Sequence, residues 1–297
     1  MLLLGSPVSA VYSPDDGRVL SVPSAFTRSM LELEHGFRVV DTHVQLEPDE
    51  RRRPRGVGDA EQIEREMQQA GIVQSLVFPA DREGSYLKVN NAVARIAVDR
   101  SFVAAARING VREPGEGVTS RLRNVTRSRS EEHTSPDDIE QYAYEDRFIG
   151  FVLDPVVDGL PDEAVLSRLE SVGLPVITYG GRGFGPETIE ETLLQYEFPL
   201  LIAHFGGYPL EESMMSEAVD VLGRHENCFL DTSFVQLRDP LERALMEHPS
   251  HVVFGSGAPA VHPNVAVMEI LTLDVPEDAM RKVFSKNAVR VVDELAP

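Results

Sequence analysis

Short apolar runs rich in β-branched residues alternate along the chain with segments of helical periodicity. Each run is bounded by Gly, Pro or Asp. There are eight, at 38–45, 72–79, 102–108, 148–154, 174–179, 199–204, 228–233 and 251–256. Parallel strands that are buried on both faces have this pattern, and helices connect them. The α/β pattern therefore predicts a (β/α)8 TIM barrel over residues 37–297.

The segments between the runs support this prediction. Asp59 is a suitable N-cap with Gln62 three residues on, Met67 lies on the apolar face, and Gly71 ends the segment, which predicts a helix. Further outer helices are predicted at 162–171, 186–196, 210–223, 240–247 and 264–273, and closing helices at 276–288 and 291–295.

Two stretches do not fit the plain repeat. In residues 1–36, two alternating segments flank the turn sequence 13–17, which predicts a β-hairpin extension packed on the barrel. Residues 111–146 form a long insertion after the third strand, with a helix predicted at 136–146. An insertion there lies on the active-site side of a barrel, so it is either a lid or a surface ornament.

The charge balance excludes some partners. The 297 residues include 48 Asp and Glu against 28 Lys and Arg, a formal net charge of −20. Such a field repels phosphate backbones and anionic lipids, so nucleic acid and membranes are not expected partners. Because Lys88, Lys282 and Lys286 are the only lysines, the acidic surface indicates a halophilic protein or an Arg-rich product of a GC-rich genome.

The localisation follows from cysteine content and from the start of the chain. Cys228 is the single cysteine, so no intrachain disulfide can form, which fits a reducing compartment. The apolar stretch 1–4 has no basic flank and is too short for a secretion signal. We expect a cytoplasmic protein.

Polar residues at the carboxyl ends of the runs are the candidates for chemistry, because these ends converge on one pocket in a parallel barrel. They are His43, Gln45, Asp154, Tyr179, His204, Asp231 and Ser233. His43 alternates in phase with Gln45 and out of phase with Val40 and Val44, which predicts that His43 faces the lumen. A hydrogen-bonded structural histidine remains the alternative for His43 and for His204.

A glycine-rich stretch follows the fifth run. Arg182 lies within 180–185, directly before a predicted helix. Backbone amides together with a guanidinium can hold a carboxylate at such a position. We therefore expect Arg182 to bind the carboxylate or carbonyl group of a substrate.

Six motifs, in order, resemble one family. VVDTHVQL, LPVITYGGRG, PLLIAHFGG, NCFLDTSF, VVFGSGAP and FSKNAVRVV look like the amidohydrolase-related branch of the metal-dependent hydrolase barrels, over residues 37–294. The branch includes hydrolases and decarboxylases of aromatic and related carboxylic acids. Its barrels are often dimers, so the resemblance leaves room for a homodimer.

The resemblance implies a Zn²⁺ site that this sequence alters. His43 and His204 match family histidines, and His43 is the remnant of the metal-binding pair. Gln45, Tyr179 and Gly257 stand where the resemblance places His, His and Asp. Since a catalytic zinc normally has three good protein ligands, we expect a reduced or absent metal site. We also expect the three altered positions to converge opposite His43.

Two functions remain open at this point. In the first, the protein is a hydrolase or decarboxylase of a small carboxylate or carbonyl compound. His204 is its general acid or base, Asp231 orients His204, and Tyr179, Arg182, Ser233 and Gln45 bind the substrate. In the second, the barrel is a non-catalytic subunit that binds a small molecule or serves a structural role.

Overall fold

The computed structural model describes residues 35–53, 59–80, 86–114, 130, 133–144 and 147–296, and the strands at 9–12 and 19–22. These two strands, β1 (Ser9–Tyr12) and β2 (Val19–Val22), pair antiparallel with Ser9 opposite Val22, as the hairpin prediction requires. The predicted packing of the hairpin on the barrel concerns side chains outside the described residues.

The eight apolar runs form one parallel sheet, and each strand pairs with the next along the chain. This confirms the TIM barrel prediction. The strands are β3 (Val39–Leu46), β4 (Ile72–Pro79), β5 (Phe102–Arg107), β6 (Phe148–Leu153), β7 (Val176–Gly181), β8 (Leu200–Tyr208), β9 (Cys228–Asp231) and β10 (Val252–Val253).

The barrel closes between β3 and the segment that contains and follows β10. The amide of Thr42 donates to the Phe254 carbonyl at 2.9 Å, and the amide of Gly257 donates to the His43 carbonyl at 3.1 Å. Val44 also forms a parallel bridge with Ala258. The closure therefore places the first and last strands side by side.

Helices cover the outside of the barrel. The described helices are α1 (Ala60–Gln69), α2 (Tyr86–Ala97), α3 (Pro136–Tyr144), α4 (Pro155–Asp158), α5 (Glu163–Val172), α6 (Pro186–Thr192), α7 (Glu212–Leu222), α8 (Arg238–Glu247), α9 (Pro263–Leu271), α10 (Glu277–Arg281) and α11 (Asn287–Val291). A π-helical turn, Lys282–Lys286, joins α10 to α11, and a 3-10 turn, Asp293–Leu295, follows. No described helix could span a membrane.

Local chemistry accounts for the first helix, whereas the sequence analysis missed the second. Asp59 caps α1, because its carboxylate accepts the Gln62 amide at 2.9 Å. Gly71 follows the helix at φ +74°. No helix was predicted at 86–97, although Asn90 of α2 is buried there and donates to the Arg107 carbonyl at 2.9 Å.

The core has two parts. An outer layer packs the strands against the helices, and a luminal cluster fills the barrel. Leu295 and its neighbours belong to the luminal cluster, and Gln74 near the start of β4 donates to the Glu294 carbonyl at 3.2 Å. The C-terminal turn therefore closes the amino-terminal end of the barrel and leaves the opposite end for a site.

Val40 corrects the predicted alternation along β3. It belongs to the luminal cluster, whereas Val44 belongs to the outer layer, so the two do not share a face. The reason is that the β3–β4 pairing shifts register between Val39 and Val40 and again between Asp41 and Val44. A shift of one residue moves a side chain to the other face.

The helix predicted within the insertion belongs to the barrel wall. Ile139 and Tyr142 of α3 are buried in the outer core, and the Tyr142 ring packs against Phe148 at a centroid distance of 5.0 Å. This helix is therefore not a lid. Residues 115–129 and 131–132 lie outside the described residues, so lid and ornament both stay open for them.

Candidate active site

A cavity of about 500 Å³ opens at the carboxyl ends of the strands. This volume lies within the usual range for small-molecule sites. Its lining is largely apolar and aromatic with a few polar groups. It consists of Gln45, Asp154, Val156, Val157, Tyr179, Gly180, Gly181, Arg182, Gly183, Phe184, His204, Tyr208, Pro209 and Phe234. Five candidate residues from the sequence, Gln45, Asp154, Tyr179, Arg182 and His204, are in this lining.

His204 lies on a strained turn within β8. Its φ is +57°, and Phe205 and Gly206 also have positive φ, of +53° and +70°. A non-glycine residue in this region is uncommon and often marks a functional site. At Gly206 a Cβ would meet Ala218 Cβ at 2.9 Å. Gly206 therefore allows β8 to pack closely against α7.

Ser233 holds His204 in place. The Ser233 hydroxyl lies 2.9 Å from His204 Nδ1, and it accepts the His204 amide at 3.4 Å. Both residues are buried. His204 lines the cavity, and its Nδ1 is hydrogen-bonded to Ser233. The His204 ring is therefore suited to exchange a proton with a ligand in the cavity.

Burial and the neighbouring His43 lower the pKa of His204 to about 4, against the opposing effect of Asp231. Desolvation disfavours the charged imidazolium. Three aromatic rings, those of Tyr179, Tyr208 and Phe234, contribute to this burial with centroids 5.0 to 5.1 Å from the His204 ring. His204 is therefore a neutral imidazole at pH 7.

Asp231 pairs with His43 and not with His204. His43 Nδ1 lies 2.8 Å from Asp231 Oδ2, and both side chains are fully buried. Burial alone would raise the pKa of Asp231, but His43 and the Ser233 hydrogen bond lower it below the ordinary value. Asp231 is thus a carboxylate, so His43 donates from Nδ1. The Ser233 amide donates to Asp231 Oδ1 at 2.6 Å, which links the pair to His204.

The three altered family positions come together only in part. The Gln45 amide donates to the Tyr179 hydroxyl. Gly257 sits at φ +73°, and a Cβ there would meet the Phe234 ring at 2.7 Å. The first two residues therefore meet within the cavity, whereas a side chain at 257 would point into an aromatic ring.

The side chains at the altered positions are not the usual ligands of catalytic zinc or manganese. Among the described residues, no group of three or more His, Cys, Asp or Glu side chains could hold a metal. His43 Nε2 is buried without a hydrogen-bond partner, but the groups that replace the other ligands are an amide and a phenol. Both are weak ligands for such ions.

Arg182 lines the cavity, but its guanidinium forms an ion pair with Glu211. The loop amides that were expected to hold an anion have other acceptors. The Gly181 amide donates to the Phe184 carbonyl at 3.0 Å, and the Arg182 amide donates to the Tyr208 carbonyl at 3.2 Å. The predicted carboxylate site at this loop therefore lacks these two donors.

A buried charged network next to the cavity was missed. Arg107 at the end of β5 donates from Nη2 to Asp158 at 2.7 Å, and the Tyr86 hydroxyl donates to the same carboxylate at 2.6 Å. Asp158 also accepts the amide of Asp154, a cavity residue, at 3.2 Å. The available signal was one arginine at the carboxyl end of an otherwise apolar strand.

Comparison with known proteins places this site in a family. A family model described as Amidohydrolase matches residues 40–293. The chain belongs to the amidohydrolase family. A search of curated protein sequences gives no match.

Solved structures with a similar fold are matched at low sequence identity. An uncharacterised TIM-barrel protein from Bordetella bronchiseptica has a TM-score of 0.64 at 19% identity, covering 87% of this chain and 99% of its own. A probable 2-pyrone-4,6-dicarboxylic acid hydrolase from Acinetobacter baumannii, with citric acid bound, has a TM-score of 0.57 at 13% identity (86% and 99%). A dihydroxybenzoic acid decarboxylase from Polaromonas sp. JS666, with bound manganese and 2-nitroresorcinol, has a TM-score of 0.58 at 13% identity (86% and 96%).

Proposed function

We propose that this amidohydrolase-family protein is an enzyme that acts on a small carbonyl or carboxylate compound in the His204 cavity, without a catalytic metal. One observation carries the proposal. A neutral, buried His204 is fixed by Ser233 and lines a cavity of about 500 Å³ at the active-site end of the barrel. The similar structures of a probable hydrolase and a decarboxylase support a small organic compound as the substrate class.

The state of His204 favours hydrolysis over decarboxylation. A neutral imidazole can accept a proton from water as the water oxygen bonds to the carbonyl carbon. It then returns that proton to the leaving group as the carbon–heteroatom bond breaks. Decarboxylation instead needs a proton donor at the start, and a histidine with a pKa of about 4 carries few such protons at pH 7.

The neighbouring groups orient and stabilise this chemistry. Ser233 fixes the His204 ring, and the nearby Asp231 carboxylate favours the imidazolium that forms when His204 takes a proton. Gln45 and Tyr179 bring an amide and a phenol to the cavity, where a substrate carbonyl oxygen can be hydrogen-bonded.

A non-catalytic role is the second candidate, and the side chains at the three altered positions favour it. With an amide and a phenol at two family metal positions and a glycine at the third, the barrel can hold a ligand without turning it over.

Calorimetric titration of the chelator-treated protein with Zn²⁺ and Mn²⁺ tests the premise that the site works without a metal. Tight stoichiometric binding of either ion would contradict that premise for both functions.

Hydrolysis of 4-nitrophenyl acetate by the chelator-treated protein tests the enzymatic proposal. His204→Asn removes the imidazole, and asparagine tolerates the positive φ at this position. Since general acid–base catalysis contributes about 10² to 10⁴, kcat/KM should fall by at least about a hundredfold.

His262→Asn is the matched control. His262 is exposed, and its side chain accepts the Asn264 amide at the start of α9, a role that asparagine also fills. This variant should keep the rate of the unaltered protein. Equal rates in the His204 and His262 variants, or dependence of the rate on added metal, would overturn the enzymatic proposal.

A further inference from the structure

The cavity offers little positive charge to a ligand. Of the described residues that line it, Asp154 and Arg182 have charged side chains, and His204 is neutral. Arg182 pairs with Glu211, which follows β8 and lies at the same rim. The Arg182 side chain is 75% exposed and that of Glu211 is 35% exposed. The guanidinium of Arg182 is thus already paired with a carboxylate of the protein.

Among the described residues, other donors near the cavity also have acceptors within the protein. Arg107 is fully buried and donates to Asp158 through Nε and Nη2, at 3.0 and 2.7 Å, and to the Pro79 carbonyl through Nη1 at 3.1 Å. The amides of Gly181 and Arg182 donate to backbone carbonyls. The net charge of −20 adds a long-range repulsion for anions.

From this arrangement we propose that the cavity selects uncharged carbonyl compounds over carboxylates, and that Glu211 sets this selectivity by neutralising Arg182. The inference rests on the proposed function, because it narrows the substrate class of the same site. A carboxylate must compete with Glu211 for the guanidinium of Arg182. An amide, lactone or ester does not face this competition, since its carbonyl oxygen needs only a hydrogen-bond donor.

Three isosteric probes separate charge from shape. Benzoate, benzamide and benzamidine are planar, nearly equal in size, and anionic, neutral and cationic at pH 7.5. Their dissociation constants can be measured by NMR titration of the unaltered protein, following the imidazole signals that His204→Asn removes. We expect benzamide and benzamidine to bind more tightly than benzoate.

Glu211→Gln tests the assigned residue. It frees Arg182 without changing the length of the side chain, so benzoate affinity should rise by up to about fivefold, as expected for a partly exposed ion pair. Benzamide affinity should not change. Glu212→Gln is the control, because Glu212 is exposed, adjacent in sequence, and loses the same charge. It should leave the ratio of benzoate to benzamide affinity unaltered.

The outcomes distinguish this inference from the proposed function. Benzoate binding at least as tight as benzamide, or an equal effect of the two glutamine variants, would overturn the selectivity assigned to Glu211 while leaving His204 as the working residue. If none of the three probes shifted the His204 signals up to its solubility limit, the ligand cavity itself would be refuted, and the selectivity with it.

Discussion

The buried pair of Arg107 and Asp158 should be a major determinant of stability. Both side chains are at most 1% exposed, and Asp158 accepts two hydrogen bonds from the guanidinium. Asp158→Asn removes the countercharge and leaves a buried cation, which typically costs about 3–5 kcal/mol. Native proteins are usually stable by only about 5–15 kcal/mol. One substitution should therefore remove a large part of the free energy of unfolding.

An exposed pair provides the matched comparison. Glu61 and Arg65 of α1 are more than half exposed, with side-chain exposures of 64% and 56%. Because solvent screens such pairs, Glu61→Gln should cost less than about 1 kcal/mol. Tyr86→Phe removes one hydrogen bond to Asp158 and should cost about 1 kcal/mol, or up to about 3 because the acceptor is charged.

Urea unfolding followed by circular dichroism measures these differences, since the chain contains no tryptophan for fluorescence. Arg107→Met combined with Asp158→Leu replaces the whole pair with apolar side chains. The double variant should recover most of the loss, because apolar side chains of similar size can replace a buried ion pair. If Asp158→Asn cost no more than Glu61→Gln, the reasoning from burial would be wrong.

Three further outcomes are expected. Gly173→Ala should lower the free energy of unfolding by about 1 kcal/mol, because Gly173 has a φ of +73° but open space where the Cβ would lie. Gly257→Ala, at the same φ, should lower it by about 1–3 kcal/mol more, because the Cβ would meet the Phe234 ring. Equal losses for the two variants in urea unfolding would exclude the clash. Burial raises the pKa of Glu269 to about 7, so this group's contribution to stability falls as pH rises from about 4.5 to about 7. Glu269→Gln should therefore stabilise the fold at pH 8 by on the order of 1 kcal/mol, a value reduced for solvent screening, and should have no effect at pH 4. The same gain in the exposed control Glu226→Gln would contradict burial as the cause. The melting temperature should rise as KCl increases from about 0.1 to about 2 M, since salt screens the net charge of −20, and a flat or falling curve would contradict a salt-adapted surface.

Much of the barrel could be predicted because its strands are buried on both faces. Such strands appear as continuous apolar runs, and all eight runs correspond to strands of the sheet. Helix α2 was missed because its buried side includes Asn90, a polar residue whose partners, such as the Arg107 carbonyl, come from another element. The position of Val40 was missed for a related reason, since the register shift depends on pairing with β4.

The sequence identified residues of the candidate site but not which of them form hydrogen bonds with one another. The strand-end rule identified His43, His204, Asp231 and Ser233, and the structure brings these residues into contact. It could not show that Asp231 binds His43 while Ser233 holds His204. Those choices depend on distances of a few ångströms across the barrel. The ion pair of Arg107 could not be predicted, because its partner, Asp158, comes from a different strand–helix unit.

The closure between the first and last strands also determines when the site can form during synthesis. His43 and Asp231 are 188 residues apart in the chain, and the bonds to Gly257 and Ala258 come later still. At about 5–20 residues per second, a ribosome needs roughly 10–40 s to make the intervening chain. During that time Asp41 and His43 lie on an unclosed sheet edge. A nascent chain stalled before the seventh strand of the barrel, β9, would therefore carry His43 without its partner Asp231 and with one edge of β3 unpaired, and would be a natural substrate for chaperones.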